Sequence, residues 1–212
     1  MAAGLLLAYT DPGSVPETEF HDWYDHEHGP ARLTVPGFLT GYRYQAADDR
    51  TPAWLAVYDL ASPAAMESAA YAARVAGASK REQSIRSRLA TLQRRTYELI
   101  SSDGAADGPA PALLVVAMSV PAGTEDDLAA WYTEEHIPML LAVPGWRRIR
   151  RFRLTGGDPG PDFLSIHEID GLEVLEQERY KAAISTSWRM RIVASALPRE
   201  RRVFTFRNSF GG

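Results

Sequence analysis

The sequence predicts an α+β protein made of two copies of one βαββαβ unit fused in tandem, and three observations carry that prediction. The first is a repeat: Trp23-Tyr24-Asp25-His26-Glu27-His28-Gly29-Pro30, running on to Val35-Pro36-Gly37-Phe38, returns 108 positions later as Trp131-Tyr132-Thr133-Glu134-Glu135-His136-Ile137-Pro138, ending Val143-Pro144-Gly145-Trp146. Ungapped alignment of Phe20–Phe38 with Leu128–Trp146 gives nine identities in nineteen positions. Such density between two parts of one chain marks a duplicated structural unit. The second is the order of hydrophobic periodicities, which is the same in both halves. The third is a Gly, Ala, Pro and Asp-rich stretch, SSDGAADGPAP at Ser101–Pro111, which reads as a linker between residues 1–100 and 112–212.

Taken in order, Gly4–Tyr9 and Ala112–Ser119 are short apolar runs of strand type. Glu17–Leu33 and Glu125–Leu141 read as helices opened by acidic turns that suit the helix dipole. Pro30 and Pro138 lack the N–H that would bond the carbonyl four residues back, so each helix must kink or tighten there. The Val-Pro-Gly that follows forces an extended and then turned exit. Phe38–Ala46 and Ala53–Leu60 alternate as strands, as do Trp146–Thr155 and Asp162–Ile169. Helical stretches are expected at Pro63–Ala76, Lys80–Leu92, Leu172–Ile184 and Trp188–Ala194. Arg95–Ile100 and Arg201–Arg207 close the halves as strands. This order is the split βαβ, or ferredoxin-like, unit. Its sheet carries helices on one face only, so the other face must be covered. Face-to-face packing of the two sheets meets that need and leaves a cleft between each sheet and the ends of its helices.

Composition narrows the function classes. With Lys+Arg 23 against Asp+Glu 27, the net charge is −4, and no global basic field invites nucleic acid. Cysteine is absent, which excludes disulfides, thiolate metal sites and a Cys nucleophile. The opening MAAGLLLAYTDPGS lacks a basic n-region and reads as a strand, and no stretch approaches a membrane span. A soluble, cytoplasmic protein without a membrane partner is expected. No Gly-rich phosphate loop, Ser nucleophile motif or dinucleotide fingerprint is present.

The repeated motif supplies the candidate chemistry. At helical spacing Trp23, Glu27 and Pro30 share one face, and Tyr24 and His28 the neighbouring one. A His beside a Glu and a Tyr at the mouth of an aromatic cleft suits general acid–base work, with His28 moving a proton, Glu27 orienting it and Tyr24 or Tyr58 assisting. The alternative is a His that bonds loose carbonyls at a helix end while Trp and Pro pack. His136 is the equivalent candidate in the second half. Gly29 faces Ile137 and His26 faces Glu134, an asymmetry that suggests one working site. Along Ala53–Leu60, Trp54, Ala56 and Tyr58 point one way and Leu55 and Val57 the other. The aliphatic set is expected to meet the helices. The aromatic set, with Phe163, Ser165 and His167 as counterparts and Tyr42 and Tyr44 beside it, is expected to face the barrel interior as a pocket wall, together with Trp23 and Trp131 of the motif. A packed core without a cavity is the alternative. Arg43 and Arg151 hold matching strand positions, either gripping a carboxylate or phenolate or solvated at the surface. The run Arg147–Arg151 reads as an anion site or a charged strand face. His21, Asp25 and His28 have a spacing compatible with a metal, but Ala129 and Thr133 stand at the matching positions of the second half and no further ligand is evident, so no metal is expected.

The pattern Trp-Tyr-x-x-Glu-His-x-Pro with Leu-x-Val-Pro-Gly, between strands of a split βαβ unit, resembles the EthD-like branch of the dimeric α/β-barrel superfamily, and nearly the whole chain resembles a tandem fusion of two such units. The resemblance implies an intramolecular dimeric α/β barrel with the motif histidines at 28 and 136 as site candidates. Related barrels include cofactor-independent monooxygenases, decarboxylases or dehydratases of polyketide pathways, lactone isomerases and haem enzymes. The expectation is therefore a small-molecule enzyme of secondary metabolism that uses no cofactor. It would perform His/Glu acid–base chemistry (decarboxylation, dehydration, isomerisation or oxygenation) on a flat aromatic or polyketide-like metabolite. Two alternatives stay open: a ligand-binding or stress-response barrel without chemistry, and a haem-dependent enzyme with His136 or His167 as the proximal ligand. Internal fusion already supplies the pairing that single units obtain by dimerising, so the chain is expected to be a monomer or to associate further through exposed strand edges.

Overall fold

The computed structural model describes residues 2–210. The first repeat runs β1 (Gly4–Asp11), α1 (Glu17–Trp23), a π-helical turn (Tyr24–His28), α2 (Gly29–Leu33), β2 (Phe38–Ala46), β3 (Trp54–Leu60), a 3-10 turn (Pro63–Glu67), α3 (Ala69–Ala76), α4 (Lys80–Arg88) and β4 (Thr91–Gly104). The second repeats it as β5 (Ala112–Met118), α5 (Glu125–Trp131), a π-helical turn (Tyr132–His136), α6 (Ile137–Leu141), β6 (Trp146–Gly157), β7 (Phe163–Ile169), a 3-10 turn (Leu172–Glu176), α7 (Glu178–Ala183), α8 (Ser187–Ser195) and β8 (Arg199–Ser209). The hydrogen-bonded strand order is β1-β3-β2-β8-β5-β7-β6-β4, a closed antiparallel barrel.

The chain falls into two compact units. Among the described residues, one holds 2–99, 154–159 and 206–210, the other 100–153 and 160–205. The stretch read as a linker is in part strand, since β4 continues through Gly104. Local details repeat with the motif. Both β2 and β6 shift register just after their first residue, at Phe38/Thr40 and Trp146/Arg148. Gly37 and Gly145 turn the Val-Pro-Gly exits with φ of 96° and 86°, a region where a side chain is strained.

Proline at 30 and 138 accounts for the π-turns. Pro30 offers no N–H to His26 and its ring would strike that carbonyl, so the ladder slips by one: the Gly29 amide bonds the Tyr24 carbonyl five residues back, as the Ile137 amide bonds that of Tyr132. The slip changes which side chains meet. At five-residue separation His28 lies on Trp23 with ring centroids 4.5 Å apart, and His136 stacks on Trp131 at 4.3 Å.

In the first unit Leu6, Ala8, Trp54, Ala56 and Tyr58 pack under Phe20, Trp23 and Tyr24 of the helical segment. This corrects the expected orientation of β3: the aromatic set meets the helices, and Leu55 and Val57 are buried on the opposite face. The helices present wide rings, which stack on Trp54 and Tyr58, while the other face takes the aliphatic side chains. The second unit has the same polarity, with Leu114, Met118 and Ile169 under Leu128, Trp131 and Tyr132. Ser165 there donates to the Tyr132 hydroxyl at 2.9 Å.

Candidate functional site

In each unit a cavity lies between the sheet and the π-turn, and the two differ sharply. In the first, His28 Nδ1 donates to Glu82 Oε1 at 3.2 Å, and Glu82 Oε2 accepts from Arg74 at 2.7 Å. Burial holds His28 down to about 4 although Glu82 pulls the other way, so near neutrality the ion pair proper is Arg74–Glu82 and the imidazole is a neutral donor. Burial pushes Glu82 up, yet the bonds from His28 and Arg74 outweigh it and bring its carboxyl to about 2. The cavity beside His28 is only about 20 Å³, room for roughly one water. The space that Gly29 and Gly41 leave open is taken by Phe210, whose ring stacks on Tyr24 and Tyr58 with centroids 5.8 Å from each. A Cβ on Gly29 would come within 2.3 Å of that ring.

In the second unit Ile137 and Ile149 stand where Gly29 and Gly41 stand in the first, and no tail residue is needed. Here the cavity is about 120 Å³, close to the ~150 Å³ that holds a benzene ring. Its walls are Trp131, Tyr132, Trp146 and Tyr180, with His136, His167, Arg189, Arg199 and Arg201 as polar groups and no carboxylate in the lining. His167 replaces the larger Tyr58 of the first unit, which accounts for part of the extra room. Trp131 is fixed by its indole N–H donating to Glu135 at 3.1 Å, and Glu135 also accepts from Thr186 at 2.6 Å.

His136 and His167 are 7% and 2% exposed, and the Nδ1 of each is buried with no hydrogen-bond partner among the described residues. Burial, and then the Arg189 charge, holds His136 at about 3, against a bond to the backbone of Ala183. That bond favours the charged ring but does not offset burial. Burial likewise holds His167 well below the usual range, helped by His136 and Arg201. Arg189 donates to the Ile184 carbonyl at 2.8 Å and Arg201 to the Tyr180 hydroxyl at 3.3 Å.

The structure places several predicted residues elsewhere. Glu27 does not orient His28: its side chain is 43% exposed and pairs with Arg81, and Glu82, not singled out from the sequence, takes that place. The slip at Pro30 is the reason, since it turns His28 inward over Trp23 and leaves Glu27 outward. Arg43 is neither solvated nor free for a ligand. It is 0% exposed, bonded to Asp25 at 2.6 Å, with its guanidinium 4.4–4.7 Å from the rings of Phe20, Tyr24 and Trp54. Arg151 likewise lies buried over Tyr132 at 4.2 Å. Arg148 and Arg150 of the basic run pair with Glu168, so the run is no open anion site. Trp54 packs on His21 and Phe20 away from the cavity, Phe163 lies under Arg153, and Tyr42 lines neither of the two cavities. With Asp25 on Arg43 and His28 on Glu82, His21, Asp25 and His28 form no metal-holding group among the described residues. Trp23, Tyr24, His28 and Tyr58 do converge in the first unit, and Trp131, His136 and His167 in the second.

No protein-family model matches the sequence, and no curated protein matches it. Solved structures do match its fold. An anthrone oxidase-like protein superposes with a TM-score of 0.69 at 15% identity, covering 98% of this chain and 92% of the other. A proposed monooxygenase from Lactobacillus acidophilus NCFM gives 0.61 at 8%, with 98% and 96% covered. A chlorite dismutase variant from Candidatus Nitrospira defluvii gives 0.58 at 12%, with 97% and 91% covered. The shared class is the tandem ferredoxin-like α/β barrel. Haem does not fit beside the two histidines eligible to hold it: a cavity of about 120 Å³ takes a single six-membered ring and not a macrocycle of four pyrroles.

Proposed function

We propose that the protein is a small-molecule enzyme whose working site is the cavity of the second repeat, where His136 moves a proton on a flat metabolite without an organic cofactor. The observation that carries this reading is the buried, unpartnered Nδ1 of His136 in a ring-sized aromatic cavity. The ligand ring would lie among Trp131, Trp146 and Tyr180. A hydroxyl or an acidic C–H of the ligand would face the neutral His136 imidazole. Transfer of that proton gives an imidazolium and an enolate or phenolate, and the arginines of the wall stabilise the new oxyanion. Decarboxylation, dehydration and isomerisation all pass through such an anion. A free His136 held at about 3 is a weak base, and the anion it creates raises its basicity in the same step. The first repeat, with His28 committed to Glu82 and space for about one water, serves as scaffold.

Proton exchange tests the reading. Enolisable aryl ketones incubated in D2O with the protein should exchange their α-protons, and the rate should fall by about a hundredfold in His136→Ala, the scale of a general base. His28→Ala should keep the exchange rate. Ligands that bind without exchange would support the binding-barrel reading instead, which the low basicity of His136 favours.

A further inference from the structure

The wall of the second cavity is charged in a way the first is not, and one helix position is responsible. Helix α4 is capped by Ser79, whose hydroxyl accepts from the Glu82 amide, and α8 by Thr186, whose hydroxyl accepts from the Arg189 amide. Glu82 and Arg189 are therefore the same position, third in their helices, and the duplication has reversed its charge. In the first unit the carboxylate closes on His28 and Arg74. In the second, Arg189 has no carboxylate partner among the described residues and spends one donor on the Ile184 carbonyl. Arg201 reaches the same cavity from β8 through the Tyr180 hydroxyl, and Arg199 stands two residues before it. A guanidinium keeps its charge in such surroundings and presents a planar fork that matches a carboxylate. His136 and His167 line the same cavity, and the Nδ1 of each is buried with no hydrogen-bond partner among the described residues.

We infer that the ligand of this cavity is a monocyclic hydroxy acid, its acidic oxygens held by Arg189 and Arg201 and its hydroxyl hydrogen-bonded to the His136 imidazole. The ring fills an aromatic volume of about 120 Å³. The acid neutralises Arg189, which has no carboxylate partner among the described residues, and the hydroxyl gives the His136 ring a polar partner. A polycyclic ketone satisfies neither polar group and is too large. The inference rests on the second cavity being the ligand site, and it holds whether or not chemistry follows binding.

Titration calorimetry with the three monohydroxybenzoates, benzoate and phenol tests it. At least one hydroxybenzoate should bind, with benzoate and phenol each weaker by about tenfold or more, the worth of one charge-assisted hydrogen bond. Arg189→Gln should weaken the hydroxybenzoate by about tenfold or more and leave phenol within about twofold. Arg201→Gln provides the same comparison if the first variant does not fold. Phenol binding as tightly as the acid, or both Arg variants leaving the acid unaffected, overturns the anion assignment while the cavity remains a ligand site. No binding by any of the five compounds overturns the assignment and the placement of the site together. Tight binding of the acid with no proton exchange on an acetylbenzoate, which carries both the acid and an enolisable ketone, leaves this inference standing and removes the enzymatic one.

Discussion

At the scale of single residues, the same motif histidine is used in two ways. His28 is tied through Nδ1 to Glu82, whereas His136, in the wall of a cavity, has a buried Nδ1 with no partner among the described residues. Both are neutral at pH 7, and this has a consequence for stability. An unfolded histidine titrates near 6.5, while folded His28 and His136 hold off protonation until about 4 and about 3, and burial holds His167 well below the usual range. Their contribution is intact above the unfolded value and declines as pH falls below it, because the unfolded chain then binds protons that the folded one refuses. His28 and His136 should each cost ~2 kcal/mol between pH 7 and pH 5, at ~1.4 kcal/mol per pH unit. Urea unfolding at the two pH values should show this loss, and His136→Asn should lose less by about one group's share; an unchanged slope would mean His136 is solvated. Glu82, held at about 2, adds its own loss only at lower pH, from about 4.5 downward. Arg43 offers a second test. Removing it in Arg43→Ala leaves Asp25 unpaired and empties the space between three rings, so unfolding free energy should fall by ~3 kcal/mol or more.

At the scale of elements, the helical segments and strands were legible because periodicity, acidic N-terminal turns and the Val-Pro-Gly exits all agree. Glu17–Leu33 and Glu125–Leu141 were read as single helices, and each is one continuous helical run. The proline signalled a disturbance but not its form. A π-turn and a simple kink differ in whether Trp23 meets His28 or Glu27, and only tertiary packing decides that. The orientation of β3 was misread because both faces are buried, so alternation separates two sets without saying which meets the helices. Glu82 and Arg189 were missed although a local signal exists. Ser79-x-x-Glu82 is a capping-box pattern, and Thr186-x-x-Arg189 breaks it with a cation where the helix dipole opposes one. A residue kept against local preference marks a site. Arg189→Glu should accordingly raise stability by ~0.5 kcal/mol through the dipole and raise the pKa of His136, while abolishing acid binding. Thermal melts with histidine NMR titrations check the pair, and a stability loss with an unmoved His136 would refute the placement.

At the scale of the molecule, duplication let one copy settle into a packed scaffold while the other kept space. The sequence carried the two-unit architecture, through the nine identities of the motif. It did not carry the role of Phe210, because filling of the pocket beside Gly29 and Gly41 depends on where the chain's end lies. Phe210→Ala should open a ring-sized void against Tyr24 and Tyr58 and cost ~3–5 kcal/mol in unfolding free energy. A loss below ~1 kcal/mol in denaturant titration would show that the ring is not packed there.

Histidine-selective nitrogen NMR tells whether the second repeat alone holds the working site. On titration with a binding hydroxybenzoate, the Nδ1 resonances of His136 and His167 should move together, with His28 unmoved in its bond to Glu82. Movement of His28 with His136 silent would place the site in the first repeat and contradict the account.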